Sequence, residues 1–224
     1  KKETFAGEPN GVTRSYGKIY VTNTGSRTDV FDAETYEFIT CIGTGTWGEG
    51  GYQTVHAFDV TASQGAVFIR DKRKLVVVLE QDVQPGSAAR VPIYSRSVNL
   101  QEAMGTYAVA ARNDGFLYVT AQNKNIIYLF DPADIRAGDT GFAPYLVTLG
   151  FEKSPQSIAF VGDRLFVTLR VDDKRSELWE ISPKNGKLLQ DFTDSMVYPE
   201  KIAGARHTLL VVDRATQTVK AIGL

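Results

Sequence analysis

The stretch Gly17-Lys-Ile-Tyr-Val-Thr-Asn23 returns four more times along the chain, as Gly65-Ala-Val-Phe-Ile-Arg-Asp71, Gly115-Phe-Leu-Tyr-Val-Thr-Ala121, Asp163-Arg-Leu-Phe-Val-Thr-Leu169 and His207-Thr-Leu-Leu-Val-Val-Asp213. With Ile19, Val67, Leu117, Leu165 and Leu209 taken as equivalent, the spacings are 48, 50, 48 and 44 residues. The segments alternate and are rich in β-branched and aromatic residues, so they read as strands and exclude helical repeats of similar period. A period in the forties with this strand content fits propeller blades of four strands. Five periods in 224 residues leave about 45 residues each, whereas six would leave fewer than any spacing found. The expected fold is therefore all-β, a five-bladed β-propeller of four-stranded antiparallel blades, in one domain over residues 1–224.

Within each repeat the signature is the second strand. The innermost strand precedes it, as at Asn10–Thr13 or Gln156–Phe160. The third strand follows a polar turn, at 29–32, 74–79, 126–131, 177–181 and 218–222. The outer strand is expected at 38–42, 90–94, 145–149 and 188–192. Lys184-Asn185-Gly186-Lys187 carries the Asn-Gly pair of a type I′ hairpin turn. The fifth repeat reaches Leu224 without an outer strand, and Glu3-Thr-Phe-Ala-Gly7 is the candidate to complete it. Closure of the ring by that N-terminal strand would remove two unpaired edges.

Composition narrows the function. Hydrophobic residues make up 43% of the chain and the formal net charge is -1, which excludes disorder and gives no reason to expect a nucleic-acid partner. The longest apolar run, Leu75–Leu79, is too short to cross a bilayer, so no transmembrane segment is expected. Cys41 is the only cysteine, so no internal disulfide can form.

Tyr20-Val21-Thr22-Asn23 spells the tetrapeptide of the YVTN propeller repeats, and Tyr118-Val119-Thr120-Ala121 differs at one position. The Gly-rich stretch Gly43–Gly51 is similar to the inter-blade segment of NHL repeats. The chain thus resembles the NHL/YVTN propeller superfamily along its whole length. That resemblance implies a fold more than a function, since members include binding scaffolds, surface proteins and a few metal-dependent hydrolases or lyases. Many bacterial members are exported. With the start at Lys1-Lys2-Glu3, this makes an exported, periplasmic or lipid-anchored monomer the expectation.

In such a fold the ends of the inner strands converge on the central channel. Alignment of the five inner strands puts Asn10, His56, Tyr107, Gln156 and Glu200 at one position, 9, 11, 10, 9 and 9 residues ahead of the signature. Convergent polar groups of unlike chemistry suit a small-ligand pocket, though every propeller also has a hydrated channel mouth to line. The same face should carry Trp47, Tyr52, Tyr94, Arg96, Phe151 and Tyr198 from inter-blade loops, with Arg170 and Arg214 after the second strands. Aromatic and Arg side chains on loops are enriched in binding surfaces.

Catalytic constellations are scarce. Zinc needs clustered His, Cys or carboxylate ligands, and His56, His207 and Cys41 fall on different parts of the blades. Glycosidase chemistry needs paired carboxylates, and the ring offers Glu200 alone. Ser157 beside Gln156 should point into the sheet packing rather than toward a base. No cofactor is implied and no catalytic set is identified. The leading expectation is a non-enzymatic binder of a small molecule, glycan or protein, using Asn10, His56, Tyr107, Gln156, Glu200, Trp47, Tyr94 and Arg170. The alternatives are a metal-assisted hydrolase or lyase built on Glu200, His56, Asn10 and Gln156, and a purely structural interaction module.

Overall fold

The computed structural model describes residues 7–25, 27–43, 57–71, 75–85, 94–96, 108–131 and 145–224, with the backbone alone for 94–96, 145–148 and 195. Two compact units are present, Lys1–Glu102 with Ala133–Ala143, and Ala103–Pro132 with Pro144–Leu224.

The first unit holds two sheets. Blade one runs in chain order through β1 (Pro9–Ser15), β2 (Lys18–Asn23), β3 (Arg27–Asp32) and β4 (Phe38–Ile42). Blade two does the same with β5 (Ala57–Ser63), β6 (Ala66–Asp71), β7 (Leu75–Leu79) and β8 (Tyr94–Arg96). Tyr20, Val30 and Ile42 of blade one pack against Ala57, Val60, Val67, Ile69, Val76 and Val78 of blade two, all buried. These are the apolar positions of the signature and its neighbours. The two-residue turns Tyr16-Gly17 and Gln64-Gly65 have positive φ at both positions, which matches the twist of the strands they join.

The second unit holds three sheets. Blade three contains β9 (Val109–Ala111), β10 (Leu117–Ala121), β11 (Ile126–Phe130) and β12 (Tyr145–Gly150). Blade four contains β13 (Ser154–Val161), β14 (Arg164–Arg170), β15 (Ser176–Ile181) and β16 (Leu188–Asp191). Blade five has three strands among the described residues, β17 (Pro199–Ala205), β18 (Thr208–Asp213) and β19 (Thr218–Gly223). One core joins blades three and four through Tyr118, Ile127, Leu149, Ile158, Leu165 and Val167. Another joins blades four and five through Ala159, Val161, Phe166, Leu178, Leu209 and Val211. Inner strands β13 and β17 come so close that a methyl group on Gly204 would overlap the Phe160 carbonyl oxygen.

Two local expectations change. The Asn185-Gly186 hairpin is not a type I′ turn, because only Gly186 has positive φ. Its N–H donates to the Ser182 carbonyl at 2.9 Å, and Asn185 Oδ1 accepts from Lys187 N–H, so the loop is a wider turn closed by one left-handed residue. Blade one uses the same loop with Tyr36 in place of the glycine, at φ 61. Of the outer strand of blade two only Tyr94–Arg96 is described, residues 90–93 lying outside the described residues, and this puts Arg96 in a strand and not in a loop. The pairing expected of residues 3–7 with blade five involves residues 3–6, which lie outside the described residues.

Candidate functional site

Four of the five inner strands, β1, β5, β13 and β17, break their ladders at the same place among the described residues. In β1 the pairing steps from Pro9↔Asn23 to Gly11↔Thr22, which leaves Asn10 as the extra residue of a β-bulge. In β5, β13 and β17 the extra residues are Phe58, Gln156 and Glu200. All four sit nine residues ahead of the signature position. The residue of blade two equivalent to Asn10 is therefore Phe58 and not the expected His56, which lies outside the described residues. A bulge frees the following N–H from the ladder; in blades one and four the signature threonine takes it up, and the threonine of blade three makes the same bond. Thr22 Oγ1 accepts from Gly11 N–H at 2.9 Å, Thr120 Oγ1 from Ala108 N–H at 3.1 Å and Thr168 Oγ1 from Ser157 N–H at 3.0 Å. By this pattern Tyr107, itself outside the described residues, precedes the capped residue just as Asn10 and Gln156 do.

Blade two replaces that threonine with Arg70. Its side chain is fully buried, and burial pulls its pKa down to about 9 against the opposing pull of neighbouring Asp71.

Blades four and five are tied together at the bulges. Thr168 Oγ1 donates to the Glu200 carbonyl at 3.1 Å, Ser176 Oγ to the Pro199 carbonyl at 2.6 Å, and Ser157 Oγ accepts from Ile202 N–H at 3.2 Å. Ser157 thus faces the packing, as its position in the strand implied. In the first unit, Asn10 Nδ2 donates to the Ala57 carbonyl at 3.2 Å, so this amide is occupied in joining β1 to β5.

A cavity of about 390 Å³ opens in the second unit at the inner-strand ends. Blade three supplies Gln122, from the turn after β10. Blade four supplies Gln156 from its bulge, Arg170 from the end of β14 and Asp173 from the turn that follows. Blade five supplies Tyr198, Glu200, Lys201 and Arg214. Of the eight candidate ligand residues, Gln156, Glu200 and Arg170 meet here, together with Tyr198 and Arg214 of the same face. Asn10 belongs to the other unit, and Tyr94 begins strand β8. Trp47, His56 and Tyr107 lie outside the described residues. Gln122, Asp173 and Lys201 were not singled out from sequence; Asp173 and Gln122 occupy the turns after second strands, the same position that had pointed to Arg214.

The wall of the cavity is charged and partly self-paired. Arg170 forms an ion pair with Asp173, and Arg214 Nη1 lies 3.4 Å from Glu200 Oε1. The Arg214 guanidinium carbon sits 5.8 Å from the centroid of the Tyr198 ring. Lys201 makes no ion pair with the described residues. Behind the wall stands Asp213, fully buried, which accepts from the N–H groups of Tyr198 at 3.0 Å and Val197 at 3.1 Å and from Lys220 Nζ at 3.1 Å. Burial alone would raise this carboxyl, but the two backbone donors and the ammonium outweigh it and hold its pKa at about 2. Among the described residues no three His, Cys, Asp or Glu side chains are grouped to hold a metal ion.

Sheets of sequential antiparallel strands, packed face to face and presenting bulged inner-strand ends, define a β-propeller. Comparison with solved structures bears this out. A chain of the nidogen/laminin complex matches with a TM-score of 0.64 at 16% identity, over 98% of this chain and 77% of that one. Virginiamycin B lyase from Staphylococcus aureus matches at 0.59 and 12%, over 98% and 71%. The β-propeller domain of Myceliophteria thermophila Cps50 (Swd1) matches at 0.59 and 12%, over 96% and 84%. At these identities the likeness is one of fold. No protein-family model matches the sequence, and no curated protein does. No helix among the described residues is long and apolar enough to cross a membrane.

Proposed function

We propose that this chain is a non-enzymatic binding domain of the NHL/YVTN kind, which takes a small polar molecule or glycan in the cavity at the bulges of blades four and five. One observation carries the reading: the two bulge residues Gln156 and Glu200 and the loop residues Arg170, Tyr198 and Arg214 converge on one cavity of about 390 Å³, within the size range of small-molecule sites. The YVTN assignment draws support from the bulge-capping role of Thr22, Thr120 and Thr168, which gives the tetrapeptide's threonine a structural job. The nidogen/laminin neighbour is itself part of a complex, in keeping with a binding role for the fold. Export to a periplasm or cell surface belongs to the same proposal, and cell fractionation tests it.

The test is ligand screening with mixtures of small molecules and glycans, mapped by backbone amide shifts. Shifts clustered at Gln122, Gln156 and Glu200, lost in a Gln122→Trp variant that fills the cavity, are the expected result. Ligands that move only amides elsewhere, or that still bind Gln122→Trp unchanged, would refute the assignment.

A further inference from the structure

We infer that the ligand of this cavity is a small hydroxylated carboxylate of the sugar-acid type, held by Lys201, Arg214 and Arg170. The inference rests on the cavity being the binding site proposed above.

Charge comes first. Three cations face two carboxylates, and Lys201 is the cation without an ion-pair partner among the described residues. The existing pairs are exposed: the Arg214 and Glu200 side chains are 65% and 36% accessible, and those of Arg170 and Asp173 are 43% and 86%. Such pairs contribute little to stability, so exchanging a protein carboxylate for a ligand carboxylate costs little. The planar guanidinium fork donates two parallel bonds to a carboxylate, which fixes orientation as well as charge.

Arg214 is also set in place before any ligand arrives. Its backbone N–H donates to the Tyr198 carbonyl at 2.9 Å and its side chain lies over the Tyr198 ring, while Tyr198 N–H is fastened to buried Asp213. A cation held this way loses less freedom on binding.

The remaining groups call for hydroxyls. Gln156 Oε1 is buried without a hydrogen-bond partner among the described residues, and a half-turn of its amide exchanges acceptor for donor. Glu200, once released from Arg214, is an acceptor for hydroxyl donors. The two wall carboxylates would repel a phosphate dianion from the same space, whereas a monoanion carrying several hydroxyls satisfies cations and acceptors together.

Calorimetric titration of the full chain with D-glucuronate, D-galacturonate, D-gluconate, D-glucose and inorganic phosphate tests this. The expected result is that at least one sugar acid binds about tenfold tighter than glucose or phosphate, with affinity falling as salt rises. Arg214→Gln and Lys201→Met should each weaken that sugar acid about tenfold, the scale of one charge-assisted bond, with melting temperature and circular dichroism unchanged. Glucose binding as tightly as the acids, or both variants retaining affinity, overturns the carboxylate inference but leaves the cavity as the site. Amide shifts from a bound sugar acid that avoid the cavity overturn both. Failure of all three acids to bind overturns the sugar-acid inference.

Discussion

Replacing Thr168 with Val tests the claim that the signature threonine exists to cap the bulge. The two side chains have nearly the same shape, so the core of blade four keeps its packing while the hydroxyl disappears. Thr168 Oγ1 accepts from Ser157 N–H at 3.0 Å and donates to the Glu200 carbonyl at 3.1 Å. Both Thr168 and Ser157 are buried, so water has no access to replace the lost acceptor. An unsatisfied buried N–H costs about 1–3 kcal/mol, and the lost bond to the carbonyl about 0.5–1.5, which together give about 2–4 kcal/mol. For a chain of this length that lowers the melting temperature by roughly 5–15 °C. Thermal and urea unfolding followed by circular dichroism measure it, with Thr168→Ser as control. The serine keeps the hydroxyl and forfeits one methyl, at about 1 kcal/mol. If Thr168→Val melts within about 2 °C of the parent, or if Thr168→Ser is as damaging, bulge capping is not what the threonine supplies. Because the hydroxyl also fixes the Glu200 backbone, Thr168→Val should loosen the cavity, read as broadened amide signals at Glu200 and Lys201.

Three further outcomes follow from the geometry. Gly204→Ala should destabilise the protein by about 1–3 kcal/mol in urea unfolding, because its methyl would meet the Phe160 carbonyl across two packed inner strands. Tyr36→Gly should stabilise by about 0.5–1 kcal/mol, since Tyr36 is 71% exposed and holds φ at 61, where a side chain is strained and glycine is not. The Asp213 carboxyl has its pKa lowered to about 2 in the folded chain, so its stabilisation is complete above the unfolded value near 4 and is lost as pH falls toward 2. Asp213→Asn should therefore remove on the order of 2 kcal/mol at neutral pH, flatten the acid limb of the stability curve, and change nothing that depends on pH above 5. A variant with the parental acid limb would contradict that assignment.

Strand placement was legible because the signal is local. The alternation in Tyr20-Val21-Thr22, Tyr118-Val119-Thr120 and Phe166-Val167-Thr168 is a period-two pattern, and the repeat multiplies it. What alternation hides is the bulge. A residue inserted into a ladder carries no side-chain signature of its own, as Asn10, Phe58, Gln156 and Glu200 show by sharing a backbone position and nothing else. Alignment by polar character selects His56 in blade two, whereas the count of nine residues back from the signature that holds in blades one, four and five selects Phe58. The cavity was half legible for a similar reason. Gln156, Glu200, Arg170, Arg214 and Tyr198 follow from strand ends. Lys201 lies inside β17, and only the ladder shift at Glu200 explains how neighbouring residues of one strand both reach the same hollow.

The step in the ladder also separates two jobs that a regular strand would confuse. Outside the register, a side chain owes nothing to the ladder around it, and the step persists both where a threonine repairs the backbone, as in blades one and four, and where Arg70 or Val212 stands in its place. The four described occupants are an amide, a phenyl ring, a second amide and a carboxylate. A scaffold with such interchangeable seats can be re-equipped for a new ligand one residue at a time without renegotiating how it folds.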